Sequence, residues 1–182
     1  GVIWGWVQSC EQLLGEHFGA GAQFPLFFGG MALLMACGNL ANSRIVERFG
    51  ARRVGHTALC VYIGLAGAQV WFAHSPHETV WQFVPLMALN MMLSGFMSAN
   101  FSSIALQPFG HAAGSASSVQ AFTRLVIGTV IGASIGQAYN HSARPLAYGL
   151  LGAGIAAMVL VLWSERGRLF RRVLPPGAIR PA

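Results

Sequence analysis

The chain has 182 residues, 54% hydrophobic and only 9% charged, where a soluble domain carries about a quarter charged residues. Its net charge of +6 rests on eleven arginines, with lysine and aspartate absent, and the long uncharged stretches exclude a soluble nucleic-acid-binding surface. Three cysteines, an odd number with Cys37 and Cys60 inside apolar segments, exclude a disulfide framework.

Taken in order, the segments predict an all-α, polytopic membrane bundle of five full transmembrane helices and a truncated one. Residues 1–8 read as the tail of a membrane helix cut short, with Trp4 and Trp6 suited to an interfacial aromatic belt. Residues 9–22, carrying Glu11, Glu16 and His17, read as a loop with at most one amphipathic turn. The full spans are expected at about 23–42, 54–73, 80–105, 115–138 and 145–163, with a bend near Pro85 and Pro145 at a tolerated first-turn position. The bundle thus covers 1–163, and 164–182 is a basic tail. His74 and His77 lie in the polar turn HSPHE, where a solvated turn is favoured over a metal site because no third ligand is near in sequence. No serine–histidine–acid triad or phosphate loop is evident, and nothing marks the chain as an enzyme.

Between the third and fourth spans lies NFSSIALQPFGHAAGSASS, residues 100–118. Pro108 stops the incoming helix, Gly110 and Gly114 free the backbone to turn, and Ser115, Ser117 and Ser118 can cap the outgoing helix. Along the third span Asn90, Ser94, Met97 and Phe101 fall near one face, which points either to neighbouring helices or to a cavity. Gly128, Gly132 and Gly136 form a ridge that admits close approach of another helix, either inside this chain or in a sliding contact with a second bundle. Arg124 sits about ten residues into the fourth span, where an arginine needs a partner or water unless it snorkels to the interface. No acidic residue lies within the five spans to meet it.

Arginine placement gives the topology. The sides alternate along the chain; one holds nine arginines, in the 43–53 loop and the tail, and the other holds Arg144 alone. By the positive-inside rule the 43–53 loop and the C-terminus are cytoplasmic. That loop reads either as a plain positive anchor or as a latch in which Glu47 pairs with a neighbouring arginine or with the start of the fourth span, with Gly50 allowing a tight reversal.

Three places resemble a known family. Glu47, Arg48, Gly50, Arg52 and Arg53 match the acid–Arg–x–Gly–basic core of the cytoplasmic signature of the major facilitator superfamily, with Ser43 standing where that signature has glycine. The 100–118 stretch is similar to the turn between the tenth and eleventh helices in the bicyclomycin/chloramphenicol-resistance branch of the drug/proton antiporters, and Phe122 with Arg124 resembles a neighbourhood found in some members. The chain therefore looks like the C-terminal half of such a transporter, from the end of the seventh helix through the twelfth.

The resemblance implies a multi-pass protein of a bacterial inner membrane that exports varied lipophilic compounds in exchange for protons, with the proton gradient as energy source and no cofactor or metal. Its partners would be the bilayer, an N-terminal six-helix half bearing the proton-coupling acid, and the exported compounds. Asn90, Ser94, Met97, Phe101 and Arg124 would then belong to the substrate cavity, and Gly128, Gly132, Gly136, Pro108 and Gly114 to helix packing and gating. The alternative is a membrane-embedded accessory subunit without a transport path. Single-cysteine labelling tests the topology: Ser43→Cys is expected to react from the cytoplasm and Ser75→Cys from the opposite side, and same-sided labelling would overturn the span assignment.

Overall fold

A computed structural model describes residues 1–166 and residue 170. Its elements are helices throughout: α1 (Val2–Gln12), α2 (Phe24–Phe49), α3 (Ala51–Ala73), α4 (Val80–Leu106), α5 (Ala113–Gln137) and α6 (Arg144–Ser164). A π-helical turn, Leu13–His17, extends α1, and short 3-10 turns lie at Gly21–Gln23 and Gln107–Ala112. By length and apolarity α2, α3 and α6 can each cross a membrane, as can the apolar stretch Val80–Gln137, which the 3-10 turn divides into α4 and α5. Four to five membrane-crossing helices follow, since about 20 residues of helix span a hydrocarbon core. The basic tail expected at 164–182 lies outside the described residues beyond Arg166, except for Phe170.

Several helix ends differ from the sequence reading. Residues 9–17 are helical rather than loop, because Leu13 and Leu14 are fully buried and hold the extension against the bundle while Glu11 and Glu16 face outward. Trp6 is likewise no interfacial anchor: it is fully buried and packs on Phe83 with ring centroids 5.8 Å apart. The 43–53 loop shrinks to Gly50, whose φ of 81° and ψ of 147° suit glycine alone, with helix on both sides. At the other reversal α4 ends at Leu106, two residues before Pro108, but neither Gly110 nor Gly114 takes a positive φ. The break there is a 3-10 turn with Phe109 off helical geometry. Ser115, Ser117 and Ser118 do not cap α5; their hydroxyls donate back to the carbonyls of Ala112 and Gly114.

The packing order follows from small and polar residues, since lipid supplies no hydrophobic force between helices. In the tight layer α4 lies between α2 and α3, and α6 covers the far side of α3. Asn100 Nδ2 donates to Asn42 Oδ1 at 3.0 Å in a buried bond that ties α4 to α2. The Tyr62 hydroxyl donates to the Leu150 carbonyl at 3.1 Å and ties α3 to α6. Beside this layer stands the pair α1–α5, joined to it chiefly through α6 and meeting α4 only thinly.

The glycine ridge makes that pair. A Cβ on Gly132 would sit 2.6 Å from Trp4 Cβ and 2.9 Å from the Gly5 backbone nitrogen; Gly128 abuts the Trp4 ring and Gly136 abuts Gln8. So the ridge packs inside this chain, on α1, and does not await a second bundle. Gly132→Leu is expected to destabilise the chain in detergent by about 1–3 kcal/mol, through forced separation of two backbones, and so to lower its unfolding midpoint. Gly152→Leu, at a position where an added Cβ would meet nothing within 4 Å, is the control and should melt as the unmodified chain does.

Candidate functional site

Because α5 leans on α1 rather than on α4, a gap opens between α4 and α5. It is an open cavity of about 530 Å³ lined by residues 1–3, at the start of the given sequence, and by Tyr62, Ser94, Met97, Phe101, Gln120 and Arg124 among others. A second hollow of about 740 Å³ on the neighbouring side of α5 shares Gln120 and Arg124 with it and adds Thr123. Arg124 stands where the two meet.

The guanidinium reaches across the gap. Arg124 Nη2 donates to Ser98 Oγ at 2.7 Å and Nη1 donates to Ser102 Oγ at 3.1 Å. Ser98 and Ser102 are four residues apart, so their hydroxyls stack one turn apart on the same face of α4. These bonds also fix the reversal at Gln107–Ala112: residues 22 and 26 positions apart meet because α5 folds back along α4.

Of the five expected cavity residues, Ser94, Met97, Phe101 and Arg124 share the lining. Asn90 does not. It is fully buried, and neither its Nδ2 nor its Oδ1 has a hydrogen-bond partner among the described residues. Toward the Phe83 end of α4 the bundle closes over this face, with Trp6 packed on Phe83 and Met87 fully buried, so Asn90 belongs to the core. Gln69 on α3 is another buried amide without a partner among the described residues. The sequence reading missed the two serines that hold Arg124, although Ser94, Ser98 and Ser102 form a visible row at spacing four.

Both ends of the bundle carry charge. At the α2–α3 corner the acid that pairs with Arg52 is Glu165, not Glu47: Arg52 Nε lies 3.4 Å from Glu165 Oε1, and no ion pair reaches Glu47 among the described residues. The reason is tertiary, since the end of α6 is brought beside the start of α3. Arg53 Nε donates to the Phe170 carbonyl at 3.2 Å, and His56 Nδ1 accepts from the Phe170 amide at 3.1 Å. Arg48 is also engaged.

At the opposite end His17 Nε2 lies 3.6 Å from Glu78 Oε2, and the Glu78 side chain is only 5% exposed. His141 faces Glu16 at 3.6 Å, and Arg144 Nε donates to the Ala73 carbonyl at 3.1 Å. His74 uses both ring nitrogens, on the Val70 carbonyl and on the Tyr148 hydroxyl. No group of three or more His, Cys, Asp or Glu side chains that could hold a metal occurs among the described residues. No protein-family model, curated protein or solved structure matches this chain.

Burial pushes the Glu78 carboxyl above its ordinary range, and the nearby His17 and Arg144 only partly oppose this. The folded state therefore binds this proton more tightly than the unfolded chain. The contribution is present below the unfolded carboxyl's range and is lost as pH rises through the raised folded value. Glu78→Gln keeps the shape and removes the titration. Melting curves at stepped pH from 4 upward should show a fall in the unmodified chain that flattens in the variant, and parallel curves would refute the assignment.

Proposed function

We propose that this chain is the cavity-bearing half of a secondary active transporter that exports lipophilic compounds by alternating access in a bacterial inner membrane. One observation carries the reading. Arg124, well inside a membrane-spanning stretch, stands in an open cavity and bonds two neutral hydroxyls instead of a carboxylate. A charge at that depth marks a water-filled path or substrate site far more often than a structural joint. The surroundings fit: Met97 and Phe101 give an adaptable apolar wall, and thioethers conform to many shapes.

The second hollow, between α5 and the start of α1, adds Gln120 and Thr123 beside Arg124 to the polar groups on this stretch of α5. α2, on the other flank of α4, buries one narrow row, Phe27, Met31, Gly38 and Asn42, and leaves Leu26, Leu33 and Leu40 exposed. In this reading α2 and α5 meet a second six-helix bundle, the proton gradient drives the cycle, and no cofactor takes part. The clasp of Arg52 by Glu165 and of Arg53 and His56 by Phe170 ties the cytoplasmic corner to the segment after α6, a contact that rocking of the bundle would preserve.

Proton-driven efflux of a fluorescent lipophilic compound from energised cells tests the proposal, with the chain expressed in its own reading frame. Arg124→Leu should slow efflux by about tenfold or more, the effect of losing about 1.4 kcal/mol of interaction, at unchanged membrane level. Arg124→Lys should recover part of the rate, because lysine keeps the charge and loses the planar fork. Full-rate efflux by Arg124→Leu across several compounds would overturn the proposal.

A further inference from the structure

We infer that the cleft between α2 and α3 binds an anionic phospholipid, with the phosphodiester on Arg53 and an acyl chain along the groove. This goes beyond the transport reading and does not rest on it, since it needs only that these helices cross a bilayer.

The groove follows from the packing order. α2 and α3 join at the Gly50 corner but touch each other little, and both pack on α4. The cleft left between them has a volume of about 580 Å³, with Leu93 and Phe96 of α4 as its floor and Phe49 and Val61 on its walls. It shares no lining residue with the Arg124 cavity, which lies against the Ser94, Ser98 and Ser102 side of α4. Phe49 and Val61 stay 52% and 47% exposed.

Its direction suits a lipid chain. Arg53 and Val61 both line the groove and lie eight positions apart on α3, a rise of about 12 Å. The groove therefore runs along a membrane-crossing helix, which is the direction in which acyl chains lie. A concave apolar slot touches a hydrocarbon chain on three sides, where a single helix surface touches it on one. Each added contact contributes a little dispersion energy, the kind of packing that distinguishes one apolar surface from another in a bilayer.

Charge selects the headgroup. Arg53 lies at the Gly50 end of the groove, and its Nε donates to the Phe170 carbonyl at 3.2 Å. That bond uses one of five N–H donors and orients the planar guanidinium, whose other donors suit the paired oxygens of a phosphodiester. Thr57, one turn further in on the same lining, offers a hydroxyl to the ester oxygens beside the phosphate. Arg44, Arg48, Arg52 and Arg53 stand close together in sequence, accompanied by Glu47 and, through Arg52, by Glu165. Four positive charges against two negative leave the corner cationic, and the stretch 167–182 that follows holds four arginines and no acid. A cationic corner at the membrane surface attracts an anionic headgroup and disfavours the trimethylammonium of phosphatidylcholine.

The test places the full chain in phosphatidylcholine nanodiscs that carry a minor share of phosphatidylglycerol, or of phosphatidylcholine, with a photoreactive diazirine in one acyl chain. After illumination, mass spectrometry maps the label on the groove at Val61, Leu93 and Phe96 and on the exposed α6 face at Ile155 and Val159. Expected is groove labelling by phosphatidylglycerol about fivefold above that by phosphatidylcholine, with no such difference on α6. Arg53→Gln should erase most of the difference. Arg53→Lys keeps the charge and loses the bond from Nε to Phe170, and should keep most of it. Unchanged labelling of α6 shows that both variants remain inserted.

Equal labelling of the groove by the two lipids would make it ordinary bilayer contact and overturn the inference. So would a groove labelled by neither, which would assign it to a protein segment such as the chain's own tail. Loss of the difference in Arg53→Lys as complete as in Arg53→Gln would show that the arginine acts by holding Phe170, and would overturn it as well. Inorganic phosphate in excess should leave the labelling unchanged; competition by it would mark a free-anion site in place of a lipid site and overturn the inference. Efflux dependent on Arg124 is measured separately, so either idea can fail without the other.

Discussion

The seam between α1 and α5 is the contact on which the rest of the arrangement depends. Hydrocarbon tails are as apolar as leucine, so helices in a bilayer are held by close packing and by polar bonds between them. On α5 the close packing is a matter of absent side chains, since Gly132 lies where any Cβ would collide with Trp4 and with the backbone of Gly5. That lets α5 lie directly against α1. Ile135 adds a smaller contact with α6 at Gly149, while Val119, Phe122, Val126 and Val130 stay exposed. The gap toward α4 is the consequence, and Arg124 is the side chain long enough to cross it.

Polar bonds do for the tight layer what glycines do for α5. Asn42 with Asn100, and Tyr62 with the Leu150 carbonyl, are satisfied pairs in a setting where an unpaired group is costly, so each fixes the register of two helices. Small residues assist at the same levels: Gly55 abuts Asn100 and Phe101, and Gly154 abuts Tyr62. Charge is sorted along the bundle in the same spirit. Among the described residues the ion pairs lie at the two ends, Arg52 with Glu165 at one and His17 with Glu78 at the other. Arg124, bonded across the gap to hydroxyls alone, is the exception.

How much of this was readable in the sequence depended on whether a feature was local. Span existence, the stop before Pro108, the first-turn place of Pro145 and the close-approach character of the 128–132–136 ridge all follow from composition and spacing on a single helix. Residues 9–17 misled because Glu11, Glu16 and His17 have loop composition, yet a helix leaving the membrane goes on as long as one face is covered, and Leu13 and Leu14 cover it. The 43–53 segment misled in the same way: arginine and glutamate are good helix formers, so a charged stretch can mark the membrane boundary without ending the helix. Pairings were the least legible. That Arg52 takes Glu165 rather than Glu47, or that Arg124 takes Ser98 and Ser102, depends on which helix ends are brought together, and sequence spacing within one helix holds no record of that. Asn90 was placed correctly on its helical face and wrongly in depth, because the face it shares with Ser94 is open at one end and covered at the other.

The choice of serines as partners for Arg124 has its own physical logic. A glutamate on α4 would have neutralised the arginine permanently and, in a low-dielectric setting, bound it tightly enough to weld α4 to α5. Two hydroxyls hold the guanidinium in place yet leave its charge unbalanced, and a hydroxyl exchanges partners with little loss because it both donates and accepts. An arginine so held is oriented yet still able to engage a new anion or water. For a pair of helices that must separate and close in each cycle of the proposed transport, a directional but replaceable contact across the gap serves better than an ion pair.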